Sequence, residues 1–324
     1  MKVLSLFDGI SCGMIALERA GIPVEKYYAS EIDESAIKIS NKNYPNIIRL
    51  GDVTKWREWK IEWGEIDLLI GGSPCQGFSF AGKQLNFDDP RSKLFFEFVD
   101  ILKHIKKRNP DIKFLLENVK MSKQYRDTIS EHLGVQPIEI CSSVIAVARR
   151  QRLYWANFEI KPITPIDVYF SDIIDTNENN KKYLTDDEVE KLITWKGYEK
   201  KKEKAIKDYK TKIPCLLARG YQSKHKMMFL VYENGKYRFI THNEAELSMT
   251  LPVDYTKADI PSSKREQAIG NGWTVNVIAE IFKNLHNTQS LRTTAHQTSK
   301  KTFMAAIKTL FNFKTHKELN TEAL

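Results

Sequence analysis

The sequence predicts an α/β fold built on a doubly wound, mostly parallel sheet. Three observations predict it. Short apolar strands alternate with helical stretches through the first half of the chain. Glycine turns and acidic residues recur where those strands end. The apolar run 66–70 feeds into a polar loop, Gly71, Gly72, Ser73, Pro74, Cys75, Gln76, Gly77, Phe78 and Ser79. A cysteine on such a loop lies at the carboxyl edge of the sheet, where open α/β sheets bind ligands.

In order along the chain, Val3–Phe7 reads as the first strand and 8–13 as a turn. Residues 14–20 read as a helix stopped by Gly21 and Pro23. Residues 26–31 form a second strand ending in Glu31, 33–43 a helix, and 47–50 a strand leading to Gly51 and Asp52. The strand 66–70 precedes the cysteine loop, 95–107 is an amphipathic helix, and 114–119 is another buried strand. Residues 144–148 and 152–157 read as a strand pair.

Character changes near Phe158, where Pro162 and Pro165 mark a linker. The mixed-charge run 199–204 reads as a solvated helix face. Strands at 229–232 and 237–240 flank Asn234 and Gly235, a hairpin signal. Residues 243–250 read as helical, and 262–285 as two helices around Gly270, Asn271 and Gly272. Beyond about 288 core character is low, and the tail reads as flexible or as a helix over 303–311.

The 324 residues suffice for one large domain and a smaller one. A net charge of +9 points to a polyanionic partner, with a lysine-rich solvated surface as the alternative. No apolar run is long enough to span a membrane, and the N-terminal segment reads as a strand rather than a secretory leader. Cys12, Cys75, Cys141 and Cys215 are scattered, which argues against a zinc site or a disulfide framework and favours a reducing cytoplasm.

Phe7, Asp8, Gly9, Ile10, Ser11, Cys12 and Gly13 follow a strand and open a helix, a context suited to a nucleoside-bearing cofactor. Glu31 is placed to accept from ribose hydroxyls and Asp52 from an adenine amine, though either alone also suits a helix cap. Glu117, at the end of its strand, reaches the same edge as Cys75 and suits proton or hydrogen-bond donation to a ring nitrogen. Arg150 and Arg152, at alternate positions, share one strand face.

These residues, in this order, resemble the DNA (cytosine-5) methyltransferase family from about Lys2 to Leu285. The loop around Pro74 and Cys75 and the block Leu116, Glu117, Asn118 and Val119 carry most of the resemblance. It is joined by 89–95, Arg150-Gln151-Arg152, Glu244, Leu247, Pro252 and Tyr255, and by 270–275. The first and last blocks look most like the vertebrate de novo branch, while the length looks like a phage or bacterial enzyme.

The resemblance implies a Rossmann-like, S-adenosylmethionine-dependent fold with a smaller target-recognition domain. It implies residues 1–157 for catalysis and cofactor binding, 158–262 for target recognition, 263–287 for a returning helix, and 288–324 as a tail. Cys75 would be the nucleophile, Glu117 would bond ring nitrogen 3, Arg152 the ring carbonyl, and Arg150 the loop or a phosphate. The cofactor would contact Phe7, Asp8, Gly9, Ile10, Ser11, Glu31, Ile32, Asp52, Val53, Pro74, Asn271, Gly272 and Trp273. Arg219, Gln222, Lys224 and His225 are candidate contacts to double-stranded DNA, and a cognate restriction endonuclease is a candidate partner.

Ser11 stands where many members carry glycine, and is tolerated if the turn needs no positive φ there. Ala148 and Asn243 replace a common glutamine and arginine, which puts in doubt the usual brace between the arginine strand and the smaller domain. The alternatives are an RNA cytosine-5 methyltransferase and a non-catalytic DNA-binding regulator on the same fold. The length of the recognition segment weighs against the first, and the presence of Cys75 and Glu117 against the second. A nicotinamide oxidoreductase rests only on the glycine turn and its acid.

Overall fold

Strands β1 (Lys2–Leu6), β2 (Lys26–Ser30), β3 (Ile48–Arg49), β4 (Leu68–Gly71), β5 (Lys113–Val119), β6 (Ile138–Cys141) and β7 (Gln151–Ala156) form one sheet. Its order is β3-β2-β1-β4-β5-β7-β6 in this computed structural model, which describes residues 1–74, 90–193, 205–222 and 229–285. Strands β1 to β5 run parallel, and β7 is antiparallel to both its neighbours. The expected α/β, mostly parallel architecture is therefore present. Strand order reverses between β1 and β4, which opens a crevice at their carboxyl ends.

Every residue of β4 is buried, as are the five central residues of β5. Such strands are covered on both faces, so they read as continuous apolar runs rather than alternating ones. One layer packs Phe95 and Phe98 of helix α3 (Pro90–Lys106), and Ile129 and Leu133 of α4 (Lys123–Leu133), against Leu4, Leu69, Leu116 and Trp155. Helix α1 (Cys12–Arg19) packs against a later helix, α8 (Val275–Phe282). Helix α2 (Glu34–Asn43) begins at Asp33, whose carboxylate accepts from the Ser35 and Ala36 amides.

The predicted strand pair at 144–148 and 152–157 is corrected in its first member. The partner of β7 is β6, at 138–141. Residues 142–144 form a 3-10 turn, and Ala148 makes only an isolated bridge to Ile213. Ile145, Ala146, Val147 and Ala148 are apolar because they are buried in a loop, whereas Ile138 and Glu139 lie exposed on an edge strand. Helix α4 has no counterpart in the sequence reading. Its buried residues Tyr125, Ile129 and Leu133 recur every four positions, and Gly134 closes it at φ +72°.

After the sheet, the chain passes through helix α5 (Asp186–Ile193) to the hairpin β8 (Val231–Glu233) and β9 (Lys236–Arg238). Asn234 and Gly235 both adopt positive φ, as a two-residue hairpin turn requires. Helix α6 (His242–Ser248) carries a reciprocal capping box between Thr241 and Glu244. Fully buried Arg238 meets Glu244 with two bonds, at 2.7 and 2.8 Å. Helix α7 (Ser262–Asn271) follows, then α8.

The expected doubt about the arginine strand resolves in the backbone. Arg149 donates its amide to the Ile213 carbonyl at 2.9 Å, and Ile213 donates to Val147 at 3.0 Å. Ala148 donates its amide to the Ser248 carbonyl at 3.2 Å, a backbone tie between the segment before the arginine strand and helix α6. Residues Met1–Phe282 form one compact unit. After it, Lys283–Leu285 form a 3-10 turn. The expected tail structure and the charged run 199–204 lie outside the described residues. No helix among the described residues is long and apolar enough to cross a membrane.

His242 lies between the Tyr221 hydroxyl, 3.0 Å from Nδ1, and Ser262 Oγ, 2.9 Å from Nε2. Burial pushes its pKa down to about 4, from 6.5. The neutral imidazole is thus favoured by folding, and the unfolded chain binds the extra proton first as pH falls. Stability is full above pH 6.5 and declines toward pH 4, by about 3 kcal/mol at most for this group. Urea unfolding of His242→Gln across that range should show a flatter pH dependence than the parent. Superimposable curves would show that His242 does not carry the effect.

Candidate active site

A cavity of about 990 Å³ opens at the carboxyl ends of β1, β2, β4 and β5. Its first wall is the turn after β1. Phe7, Gly9 and Ser11 adopt φ of +57°, +59° and +59°. Positive φ in a bulky residue such as Phe7 persists only when the surroundings hold it. Here the Asp8 amide donates to the Ser30 carbonyl at 3.0 Å, and the Gly9 amide donates to Glu31 at 2.7 Å. The Tyr255 hydroxyl donates to the Ile10 carbonyl at 2.6 Å.

The condition under which Ser11 would be tolerated without cost is not met, because the turn holds positive φ at that position. Ser11 occupies the left-handed region with ψ +37°. An L-residue pays about 1–2 kcal/mol for that conformation. The cost is offset by a bond from the Ser11 hydroxyl to Asp8 at 2.5 Å. Asp8 itself is buried, and its carboxylate also accepts from Tyr27 at 2.8 Å. Burial raises its pKa, while Ser11, Ser5, Tyr27 and Arg49 oppose the rise. Its backbone belongs to the cavity wall, but its carboxylate is an internal brace.

Glu31 and Asp52, expected at successive strand ends, both line the cavity. The Glu31 oxygens take the Gly9, Ile32 and Asp33 amides. One Asp52 oxygen caps the following 3-10 turn, accepting from the Thr54 amide and hydroxyl at 2.8 and 2.9 Å. Those bonds to Thr54 hold Asp52 below the usual carboxylate range. Its other oxygen takes no bond from the described residues. Ile32, on the same wall, leaves 71% of its surface exposed.

The opposite wall comes from the ends of β4 and β5. Ser73 is fixed by Asn118, whose amide nitrogen lies 3.2 Å from its hydroxyl. Pro74 lines the cavity, and Cys75, the next residue, lies outside the described residues. Glu117 is 8% exposed and doubly held. Its Oε1 lies 2.8 Å from Arg152 Nε, and its Oε2 accepts from the Trp273 indole at 3.1 Å. A Cβ on Gly72 would stand 3.0 Å from both Glu117 Oε2 and Trp273 Nε1.

Arg150 and Arg152 both line the cavity, but their partners differ. Arg152 is the ion-pair partner of Glu117. Arg150 is buried, its NH1 points toward the Leu216 carbonyl at 3.4 Å, and its Nε finds no partner among the described residues. Ile10, Val53, Asn271 and Gly272 line the cavity as well.

Among the candidate DNA contacts, Arg219 is exposed, and Lys224 and His225 lie outside the described residues. Gln222 donates its side-chain amide to the Ile240 carbonyl at 2.9 Å, a structural bond. Lys264 and Gln267 also line the cavity and were not anticipated. With Asn271 they recur at helical spacing on α7, a polar stripe that the sequence does contain.

The sequence matches the family of C-5 cytosine-specific DNA methylases over residues 1–133 and 148–287. The chain belongs to that family. It is 43% identical over 122 residues to the orphan methyltransferase M.Rho11sI of Bacillus phage rho11s, covering 37% of this chain and 23% of that protein. It is 40% identical over 126 residues to the type II methyltransferase M.NgoBV of Neisseria gonorrhoeae, covering 37% and 28%. These alignments span about a quarter of each relative. A longer match, 29% identical over 316 residues, covers 88% of this chain and 77% of the type II methyltransferase M1.ScrFI of Lactococcus lactis subsp. cremoris.

The fold is similar to that of S. pombe Dnmt2 methyltransferase, with TM-score 0.69, 17% identity and coverage of 90% and 99%. It is also similar to Entamoeba histolytica methyltransferase EhMeth, with TM-score 0.71, 16% identity and coverage of 89% and 98%. Use of S-adenosylmethionine and action on DNA are general to the methylase family.

Gly72→Ala offers a test of how tightly the Glu117 and Trp273 pair is set. The added methyl group meets two side-chain ends rather than backbone, so the fold should survive. Methyl transfer to DNA should fall about tenfold, equivalent to about 1.4 kcal/mol of barrier. Parent-like rates in this variant would show that the pair tolerates displacement.

Proposed function

We propose that this chain transfers a methyl group from S-adenosylmethionine to carbon 5 of a cytosine flipped out of double-stranded DNA, through a covalent adduct with Cys75. One observation carries the reading. A single cavity joins the acid-lined turn after β1 to the Glu117 and Arg152 pair, with Pro74 on its wall.

The residues fit a nucleoside-bearing sulfonium cofactor. The cavity has the volume of a ligand site. Exposed Ile32 offers an apolar face for a purine, and Asp52 has an oxygen that takes no bond from the described residues and suits an amine. Glu31 suits the ribose, while Phe7, Gly9, Ile10, Val53, Pro74, Asn271, Gly272 and Trp273 form the remaining enclosure; Ser11, expected among them, is fully buried behind that wall. When bound, S-adenosylmethionine supplies an activated methyl group.

Cytosine carbon 5 is a weak nucleophile because its ring is aromatic. Cys75 thiolate adds to carbon 6, breaks the aromaticity and places electron density on carbon 5. Glu117 holds ring nitrogen 3 and the exocyclic amine, which stabilises the charge that thiolate addition creates. Arg152 positions Glu117 and binds the ring carbonyl. Arg150 orients the cysteine loop or an adjacent phosphate. Carbon 5 then takes the activated methyl group, and loss of its proton with expulsion of the Cys75 thiolate restores the ring.

A stacked base cannot reach these groups, so the target must leave the helix at a cost offset by phosphate and pocket contacts. Residues 1–157 would hold catalysis and cofactor, 158–262 the recognition of the duplex, and 263–287 a return to the catalytic part, with 288–324 a tail. Arg219, Lys224 and His225 are the side chains offered to DNA. The names of the type II relatives fit a restriction-modification context, in which a restriction endonuclease would be the cognate partner, whereas the Bacillus phage relative is named an orphan methyltransferase. The setting proposed is a bacterial or phage-infected cytoplasm.

Methylation assays with duplex DNA and with tRNA should show incorporation into DNA. Cys75→Ser should abolish it and leave DNA binding largely intact. Duplex containing 5-fluorocytosine should trap an adduct on Cys75, because fluorine blocks the elimination step. Transfer at parent rates by the serine variant, or an adduct on another residue, would falsify the mechanism. Incorporation into tRNA alone would replace the substrate.

A further inference from the structure

The turn that holds Ser11 is braced by groups with no place in the chemistry above. The Ser11 hydroxyl donates to Asp8 at 2.5 Å and also meets the hydroxyl of Ser40, on α2. Since the Ser11 proton is committed to Asp8, the proton between the two serines must come from Ser40. Ser40 in turn accepts from Arg49 NH2 at 2.6 Å, and Arg49 Nε donates to Asn41 at 3.0 Å. Arg49 NH1 closes the ring, 3.6 Å from Asp8 Oδ2. Ser11 and Ser40 are both fully buried. The donors therefore run one way, from Arg49 through Ser40 and Ser11 to Asp8.

This relay has a specific task. Glycine adopts the left-handed region freely, whereas serine does not. The bond to Asp8 spans only three residues and lies within the turn itself. Asp8 is tied to β2 through Ser30 and Tyr27, while the bond from Ser40, backed by Arg49, reaches the Ser11 side chain itself from α2 and β3. If Ser11 relaxed out of the left-handed region, the backbone of Gly9 and Ile10 would shift against the cavity.

We propose that Ser40 and Arg49 are positioning residues for the cofactor turn, required because a serine occupies its third left-handed position. The inference rests on the cavity being the S-adenosylmethionine site. It predicts a dependence on residue 11 that ordinary core packing does not produce.

The test is a double-mutant cycle read by calorimetric titration with S-adenosylhomocysteine, on the full chain. Ser40→Ala should weaken binding about tenfold in the parent background. In a Ser11→Gly background the same change should cost less than about twofold, because glycine needs no brace. Partly exposed Arg49, changed to Met, should repeat the pattern and serves if the buried Ser40 variant misfolds. Thermal midpoints, read alongside, separate a general loss of stability from a loss of affinity. Equal weakening in both backgrounds, or none in either, overturns the proposal. A parent chain that binds no S-adenosylhomocysteine defeats instead the cofactor reading beneath it.

Discussion

The turn leaving β1 is the constraint on which the rest of the site depends. Three of its residues adopt left-handed backbone, and only one is glycine. Such a turn cannot hold itself, because each of the other two residues would gain by relaxing. It is tied at its centre by the buried carboxylate of Asp8 and at its edges by Glu31 and Tyr255. These partners come from β2, the residues just after it, and the segment before α7. The cavity wall can therefore form only after sequence-distant parts of the chain have assembled. A buried carboxylate with satisfied oxygens is costly to disturb, since removing a donor leaves charge without solvent.

The other end of the cavity follows from strand direction. Strand β7 is antiparallel to β5, so its beginning lies beside the end of β5. Arg152 pairs with Val119 in register, and Glu117 with Tyr154 two residues along. Arg152 and Tyr154 share a strand face, which brings the guanidinium diagonally onto Glu117. A parallel strand here would have delivered its arginines to the opposite edge. Inserting one antiparallel strand thus places a carboxylate from β5 and a cation from β7 at the same edge.

Legibility followed burial. Strands β1, β4 and β5 were readable because burial on both faces leaves mostly apolar runs. The acids ending β2 and β3 were readable because strand ends are few and side chains there face the crevice. Strand β6 was not, since an edge strand with two exposed residues carries no such run. It also falls in the one internal stretch, 134–147, that the family match omits. The backbone of Ser11 was invisible because a left-handed serine looks like any other serine until its partners on α2 and β3 are known. Gln222 misled for a related reason. A polar side chain in a basic, aromatic stretch looks free, yet a carbonyl 18 residues away takes its amide.

Residues 213–222 show how the two ends of the cavity are made to cooperate. Ile213 is bound through its backbone to Val147 and Arg149, just before the arginine strand. Arg150 reaches back to the Leu216 carbonyl. On the other side, Glu266 of α7 accepts the amides of Tyr221 and Gln222 at 2.6 and 3.1 Å. Gly270 of the same helix lies so close that a Cβ there would stand 2.4 Å from the Ala218 nitrogen. One segment is therefore pinned between the strand that carries Arg152 and the helix that leads to Trp273. Those two side chains hold opposite oxygens of Glu117. The geometry of one carboxylate thus depends on backbone bonds in a segment that never touches it.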